Sequence, residues 1–273
     1  MDTTHGYDGR LEGYFGEVSY FDDVRAMRVT AIGTGDAFGT GGRIHTCWRL
    51  DAGGRTICVD FGAASIVGWA RTNRPTTDID AVVITHLHGD HFGGLPFLLL
   101  ESQYVARRQK PLLIVGPPGL KARLEMLCEA MFAGSSQIPW SFTLDVREVE
   151  PGKPQRFIDF DFLSLEVQHP SGAPSTAVRV TAAGKTFAYS GDTRWVDALV
   201  DVAKDADLFV CECYSGSAPV PYHIDWPTLR AQLPRLKARS VLVTHLGDTA
   251  FCKIDEIRAA GVGVAEDGLV VSL

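Results

Sequence analysis

The sequence predicts an α/β fold, and three observations carry that reading. Strand-like runs of branched apolar residues fill both halves of the chain, helical stretches fall between them, and glycine or proline marks the joins. At 273 residues, 45% hydrophobic and 22% charged, the chain has the make-up of an ordinary globular enzyme, long enough for one large domain or two small ones. Composition alone leaves α/β and α+β both open. No internal repeat or low-complexity tract interrupts the pattern.

Taken in order, residues 1–27 are rich in glycine and aromatics without a clear period, and are expected to form an N-terminal arm, lid or dimer contact. A catalytic domain is expected over 28–273. Residues 28–32, 45–50 and 56–61 read as strands, with turns at Gly41-Gly42 and Gly53-Gly54. A helix follows over 63–71, and a buried strand over 81–85. Residues 92–106 read as a helix with Pro96 in its first turn, where proline is tolerated. A strand over 112–115 ends at Gly116-Pro117-Pro118-Gly119, and a helix spans 120–132. Strands are expected at 142–149, 156–160, 163–168, 176–181 and 186–189, then a helix at 195–204. In the strand 208–213, Cys211 and Cys213 should face one way and Glu212 the other. A proline-bounded helix at 226–236, a strand at 241–244, a short helix at 254–260 and a strand at 269–272 complete the chain.

The segment Thr85-His86-Leu87-His88-Gly89-Asp90-His91 follows the apolar run Ala81-Val82-Val83-Ile84. His86 and His88 are two apart, so in extended backbone they project to one side. Gly89 is expected to let the chain turn sharply, bringing Asp90 and His91 into play. Imidazole and carboxylate suit a borderline divalent ion such as zinc. A solvated polar loop is the plain alternative, but three histidines and an aspartate seldom crowd into six positions by chance. Four ligands in so short a loop would strain to reach one ion, which favours two.

H-x-H-x-D-H after a strand resembles the signature of the metallo-β-lactamase superfamily, and further residues extend the resemblance in chain order over about residues 28–250. They are His169 in Val167-Gln168-His169-Pro170, Asp192 in Tyr189-Ser190-Gly191-Asp192-Thr193, and His245 after Val241-Leu242-Val243-Thr244. The resemblance implies a four-layer αββα sandwich. It also implies two divalent ions, zinc foremost with Mn2+ or Fe2+ as alternatives. One would be held by His86, His88 and His169, the other by Asp90, His91 and His245, with Asp192 bridging. The β-lactamases proper usually lack the bridging aspartate, and the flavodiiron proteins carry glutamate where this chain has His88. The set here is most similar to the ribonuclease Z-like branch, which Ala31-Ile32-Gly33-Thr34-Gly35-Asp36, Glu212 and His223 also resemble. That branch's His-Ser-Thr is His223-Ile224-Asp225 here. True ribonuclease Z proteins carry a long tRNA-grasping arm between the lone histidine and the bridging aspartate. Only 23 positions separate His169 from Asp192, filled by two expected strands.

With a formal net charge of −7, the chain lacks the basic surplus of a nucleic-acid binder. Arg107, Arg108 and Lys110 are read as a solvated helix end. The expected substrate is small and anionic, attracted by the metals themselves; transfer-RNA-type nucleic acid and membrane are not expected, and a homodimer is left open. The first residues show neither a basic region nor an apolar core, so the cytoplasm is the expected location. Core packing is expected for all six cysteines.

The expected activity is metal-dependent hydrolysis through a metal-bridged hydroxide, acting on a small phosphodiester such as a cyclic nucleotide. Asp90 would ligate and accept a hydrogen bond from the hydroxide. His223 would donate the proton to the leaving group, and Glu212 would orient or charge His223. Alternatives are a lactone, carboxylic ester or sulfate hydrolase on the same site, and a metal-binding interaction protein without turnover. His45 and Asp36 are candidates to touch the site, Asp36 as an acceptor behind a ligand histidine. The glycines of 33–35 are expected to permit close approach to the metals. Phe38, Phe92, Tyr214, Tyr222 and Trp226 are the aromatics expected near the mouth.

Overall fold

Alternating apolar residues build two seven-stranded sheets in the computed structural model, which describes residues 26–273. The first sheet contains β1 (Met27–Gly33), β2 (Cys47–Ala52), β3 (Arg55–Val59), β4 (Ile79–Val83), β5 (Leu112–Gly116), β6 (Leu144–Glu148) and β14 (Val270–Ser272). The second contains β7 (Gln155–Phe157), β8 (Phe160–Val167), β9 (Ser175–Ala182), β10 (Lys185–Tyr189), β11 (Leu208–Glu212), β12 (Val241–Thr244) and β13 (Gly263–Val264). The spatial orders are β14-β1-β2-β3-β4-β5-β6 and β13-β12-β11-β10-β9-β8-β7. Strands β3 to β6 run parallel, as do β10 to β13.

Period-two alternation decides which side chains meet between the sheets. Val29, Leu50, Ile57, Ala81 and Val83 of the first sheet pack with Phe162, Val178, Val180, Phe187, Leu208 and Val210 of the second. The other face of each sheet is covered by helices. Trp69 of α1 (Ser65–Ala70), Leu95, Leu98 and Leu99 of α3 (Leu95–Tyr104) and Leu124 of α4 (Leu120–Met131) pack on Val82, Ile84 and Ile114. On the second sheet, α5 (Ala198–Ala203), α6 (Trp226–Gln232) and α8 (Ile254–Ala259) bring Leu199, Trp226, Leu229 and Ile257 onto Phe209, Cys211 and Val243. The result is the four-layer αββα sandwich. Among the described residues, no helix is long and apolar enough to cross a membrane.

Several elements differ from the sequence reading, each for a local reason. The arm expected over 1–27, with His5, lies outside the described residues except for its last two, and Met27 is already fully buried in β1. The helix expected over 92–106 splits into α2 (Gly89–Phe92) and α3, with Pro96 in the first turn of α3. The break falls at Gly94, where a Cβ would lie 2.2 Å from the Gly62 carbonyl oxygen. The strand expected at 156–160 ends at Phe157, because Ile158 takes φ 45° and reverses the chain into β8. No glycine or proline advertised that turn. The strand expected from His45 begins at Cys47, His45 pairing only as a single bridge with Gly35. The short α7 (Asp248–Phe251) and the two-residue β13 were not foreseen. Five cysteines are buried and free, but Cys252 is exposed rather than packed in the core.

Arg108 is the clearest correction. It is fully buried, not a solvated helix end. Its guanidinium donates to the carbonyls of Lys110, Thr76, Ile79 and Pro111, tying the segment after α3 to the start of β4. Removing these donors leaves buried carbonyls unpaired, at about 1–3 kcal/mol for each that water cannot reach. Arg108→Met keeps much of the volume and should lower unfolding free energy by about 2–4 kcal/mol, read by chemical denaturation. A parent-like midpoint for this variant would show that the four bonds contribute nothing net.

Candidate metal centre

The parallel strands of both sheets end on one edge, and ligands in open α/β sheets gather beyond such carboxyl ends. After β4, Asp60 accepts from the Thr85 N–H at 2.8 Å and so fixes where the apolar strand gives way to polar chain. His86 and fully extended His88 (φ −86°, ψ 153°) follow. The turn expected at Gly89 is the first turn of α2, not a left-handed glycine, and a Cβ there would meet nothing within 4 Å. Asp90 and His91 therefore lie on α2, folded back toward His86. His169 follows β8, and Asp192 follows β10. Gly191, at φ 57° and with no room for a Cβ against the Thr176 carbonyl, makes the bend that aims Asp192 inward. His245 follows β12, itself at φ 58°.

These seven side chains converge. The donor atoms of His86, His88 and His169 form one group, and those of Asp90, His91, Asp192 and His245 another, each within 4.8 Å of one another. His88 Nδ1 lies 2.9 Å from His169 Nε2. His91 Nε2 is 3.2 Å from both Asp90 Oδ2 and Asp192 Oδ1, and His245 Nε2 is 3.3 and 3.2 Å from Asp90 Oδ2 and Asp192 Oδ2. Asp192 Oδ2 is also 3.9 Å from His86 Nε2 and from His169 Nε2, so the carboxylate stands between the groups. His86 Nε2, His91 Nε2 and Asp192 Oδ1 are buried without a hydrogen-bond partner. Buried polar atoms are normally paired, and donors of this kind aimed at a common point fit divalent ions with nitrogen and oxygen ligands.

Charge tells the same story. Burial holds the His86 imidazole well below its ordinary pKa, and burial likewise lowers His169 to about 4. Both are thus neutral, the form that binds metal. Burial also opposes protonation of His245, but Asp192 and Asp90 outweigh it and push it up to about 9. His91 is likewise raised well above its ordinary value by Asp192, Asp90 and Asp60, again against burial. Two buried carboxylates demand positive charge; a divalent ion among them answers the demand that protons on His91 and His245 otherwise meet.

The outer nitrogens of three histidines are fixed by the protein. His91 Nδ1 pairs with Asp60 Oδ2 at 2.7 Å, His169 Nδ1 donates to the Tyr222 carbonyl at 3.1 Å, and His86 Nδ1 lies 3.1 Å from Thr85 Oγ1. Such partners set the tautomer and hold the ring. Sequence reasoning missed Asp60. A carboxylate at the end of the apolar run Cys58-Val59 needs a partner, the same signal that singled out Glu212. Asp36, expected behind a ligand histidine, instead accepts from Thr40 N, Thr40 Oγ1 and Phe38 N inside its own loop. The glycines at 33 and 35 admit backbone rather than metal: a Cβ on Gly33 would lie 2.1 Å from the His45 carbonyl. His45 Nδ1 accepts from Ala64 N at 3.2 Å.

Glu212, fully buried, projects from the inner face of β11, opposite Cys211 and Cys213 as the alternation required. Its oxygens meet His223 Nδ1 at 3.1 and 3.2 Å, and it also accepts from Thr193 N and Ile224 N. Burial raises the Glu212 pKa against the pull of His223. For His223 burial works downward, but the hydrogen bond and charge of Glu212 prevail and raise it. The ring of His223 lies 4.9 Å from those of His169 and Tyr214 and stacks at 5.6 Å on His245. Of the other aromatics, Phe92 and Trp226 are core residues, while Phe38 and Tyr222 are exposed.

This sandwich and its converging histidines and aspartates define a hydrolase of the metallo-β-lactamase fold, of the ribonuclease Z-like branch. Residues 27–264 match the family described as Anti-Pycsar protein Apyc1, and the chain belongs to that family. Ribonuclease Z of Haloferax volcanii is 28% identical over 234 residues, covering 68% of this chain and 72% of its own. Human zinc phosphodiesterase ELAC protein 2 is 31% identical over 185 residues, 61% of this chain but 21% of that longer protein. The metallo-β-lactamase fold protein YhfI of Bacillus subtilis superposes with a TM-score of 0.73 at 22% identity, over 91% of this chain and 100% of its own.

If the seven donors hold metal as proposed, fully loaded protein should contain two ions per chain, about 3.5–4 Å apart. Asp192→Asn should weaken both, and His245→Ala chiefly one. Elemental analysis that never exceeded one ion per chain would refute the paired site.

Proposed function

We propose that the protein is a binuclear metal-dependent phosphodiesterase for small substrates, with cyclic nucleotides the leading class. The observation that carries this reading is the His223–Glu212 pair beside the seven-donor centre, with no long arm between His169 and Asp192. Divalent ions held by His86, His88 and His169, and by Asp90, His91, Asp192 and His245, would supply Lewis acidity and a water of lowered pKa. Zinc suits this donor set best.

The remaining work falls to side chains. Asp90 would help hold a metal and would also accept a hydrogen bond from the attacking water. Glu212 accepts from His223 Nδ1, which leaves Nε2 as the atom that delivers a proton. Its ring is in contact with that of His169, so the proton is held at the edge of the centre, where a leaving oxygen would depart. The relative named a zinc phosphodiesterase supports the bond type. The segment between His169 and Asp192 is the β9–β10 hairpin, joined by Ala183-Gly184. With the net charge of −7, that short hairpin supports a small anionic substrate over transfer RNA.

Substrate size is tested by turnover. The metal-loaded protein should hydrolyse a chromogenic phosphodiester and a cyclic nucleotide, and should process precursor tRNA poorly. Rapid, site-specific removal of a tRNA 3′ trailer would reverse the size argument. Faster turnover of a lactone, ester or sulfate than of any phosphodiester would move the bond type.

His223→Ala should leave both ions bound and slow turnover by roughly 10²–10⁴, the usual contribution of a general acid. The loss should be larger for alkoxide leaving groups than for nitrophenolate, which departs without a proton. Glu212→Gln should reproduce part of that pattern. Equal losses for both classes of leaving group would return His223 to a binding or structural role.

A further inference from the structure

His245 is held differently from its neighbours. His86, His91 and His169 each have a partner for the ring nitrogen that faces away from the centre, whereas His245 Nδ1 is buried with none. Its backbone sits at φ 58°, a conformation unfavourable for a residue with a Cβ. What holds it is the main chain: His245 N donates to the Thr34 carbonyl at 3.1 Å, and Thr244 Oγ1 approaches the same oxygen at 3.3 Å. Thr34 lies in the glycine loop after β1, where Gly35 N donates to the Ile44 carbonyl at 2.7 Å and Thr46 Oγ1 to the Gly35 carbonyl at 3.2 Å.

The side-chain tie on Thr34 itself comes from Asp267, in the turn between β13 and β14. Its Oδ1 accepts from Thr34 N at 2.9 Å and Thr34 Oγ1 at 2.8 Å, and its Oδ2 accepts from Ile44 N at 2.8 Å. One carboxylate thus clamps both limbs of the loop, 34 and 44. The turn is itself fastened to β1, since Gly268 N donates to the Ala31 carbonyl at 2.8 Å and Ala31 N to the Leu269 carbonyl at 2.9 Å. We propose that Asp267 is a positioning residue for the metal site formed by Asp90, His91, Asp192 and His245, acting through the backbone of Thr34 on a histidine whose outer ring nitrogen has no hydrogen-bond partner. The inference rests on reading those four residues as metal ligands.

Groups behind metal ligands typically change affinity by 10–100-fold when removed. Metal-free protein is titrated with Zn2+ against a chromophoric chelator, and thermal melting of the same metal-free samples is followed in parallel. Asp267→Ala should bind one ion as the parent does and the second 10–100-fold more weakly. Asp267→Asn, which keeps an acceptor for Thr34, should lose less. Should Asp267→Ala fail to fold, Thr34→Val removes one of the three bonds of the clamp, and should weaken the second ion by a smaller factor. A lower melting temperature with both affinities unchanged, or equal weakening of both ions, would overturn the proposal and make Asp267 a structural residue. His245→Ala is the control. If it does not weaken one ion selectively, the ligand reading itself is wrong; if it does and Asp267→Ala does not, only the positioning role fails.

Discussion

Two carboxylates set the terms for this molecule. Asp90 and Asp192 are 6% and 2% exposed, at an edge where both sheets end. A buried carboxylate without compensating charge is unfavourable by several kcal/mol, so everything around this pair must either carry positive charge or hold something that does. Five histidines surround it, and their positions follow from strand ends rather than from one another. β4 delivers His86 and His88, α2 returns Asp90 and His91, β8 and β10 deliver His169 and Asp192, and β12 delivers His245. A packed double sheet can hold such groups because its strands are fixed by interlocked cores on both faces.

The two sheets are also joined by polar contacts where the candidate ligands leave them, and this stitching is what a purely apolar core would lack. Thr176 of β9 donates both its N–H and its hydroxyl to the Thr85 carbonyl, at 3.0 and 2.8 Å, bridging the second sheet to the His86 segment. Asp60 binds Thr85 and His91 together. Glu212 gathers His223, Ile224 and the Thr193 N–H beside Asp192. Each of these buried acids has several donors, so each is satisfied rather than merely tolerated. Glu212 therefore both positions His223 and secures the loop that carries Asp192, and its removal would disturb the two together.

How much of this the sequence shows depends on how local the cause is. The His86–His91 cluster is legible because four potential ligands fall within six positions. His169, Asp192 and His245 are legible only through order and strand context, and the structure brings them to the same edge. The alternation in 208–213 correctly separates Glu212 from Cys211 and Cys213, because period two is a local rule. By contrast, the Tyr222 carbonyl behind His169 carries no side-chain signal at all. The Thr34–Asp267 bonds span 233 positions, and no pattern within either segment points to the other. Arg108 misleads for the same reason: in sequence it is one of several basic residues after a helix, and only the fold supplies the four carbonyls it binds.

Burial across the centre is unequal, and the inequality has a direction. Asp90, His91, Asp192 and His245 are all buried, whereas His88 and His169 are half-buried beside half-buried His223. Solvent therefore reaches the centre from the His88–His169–His223 side. Under the proposed activity, a small anion would arrive there, against the more accessible group of donors, while the buried acidic group stays screened from bulk water. The same loop that supplies His223 also lends the Tyr222 carbonyl to His169. The proton donor and the orientation of an open-side ligand are thus set by one segment, 218–223. Movement of that segment would alter both at once, which ties entry of substrate to the geometry of the half of the centre that meets it first.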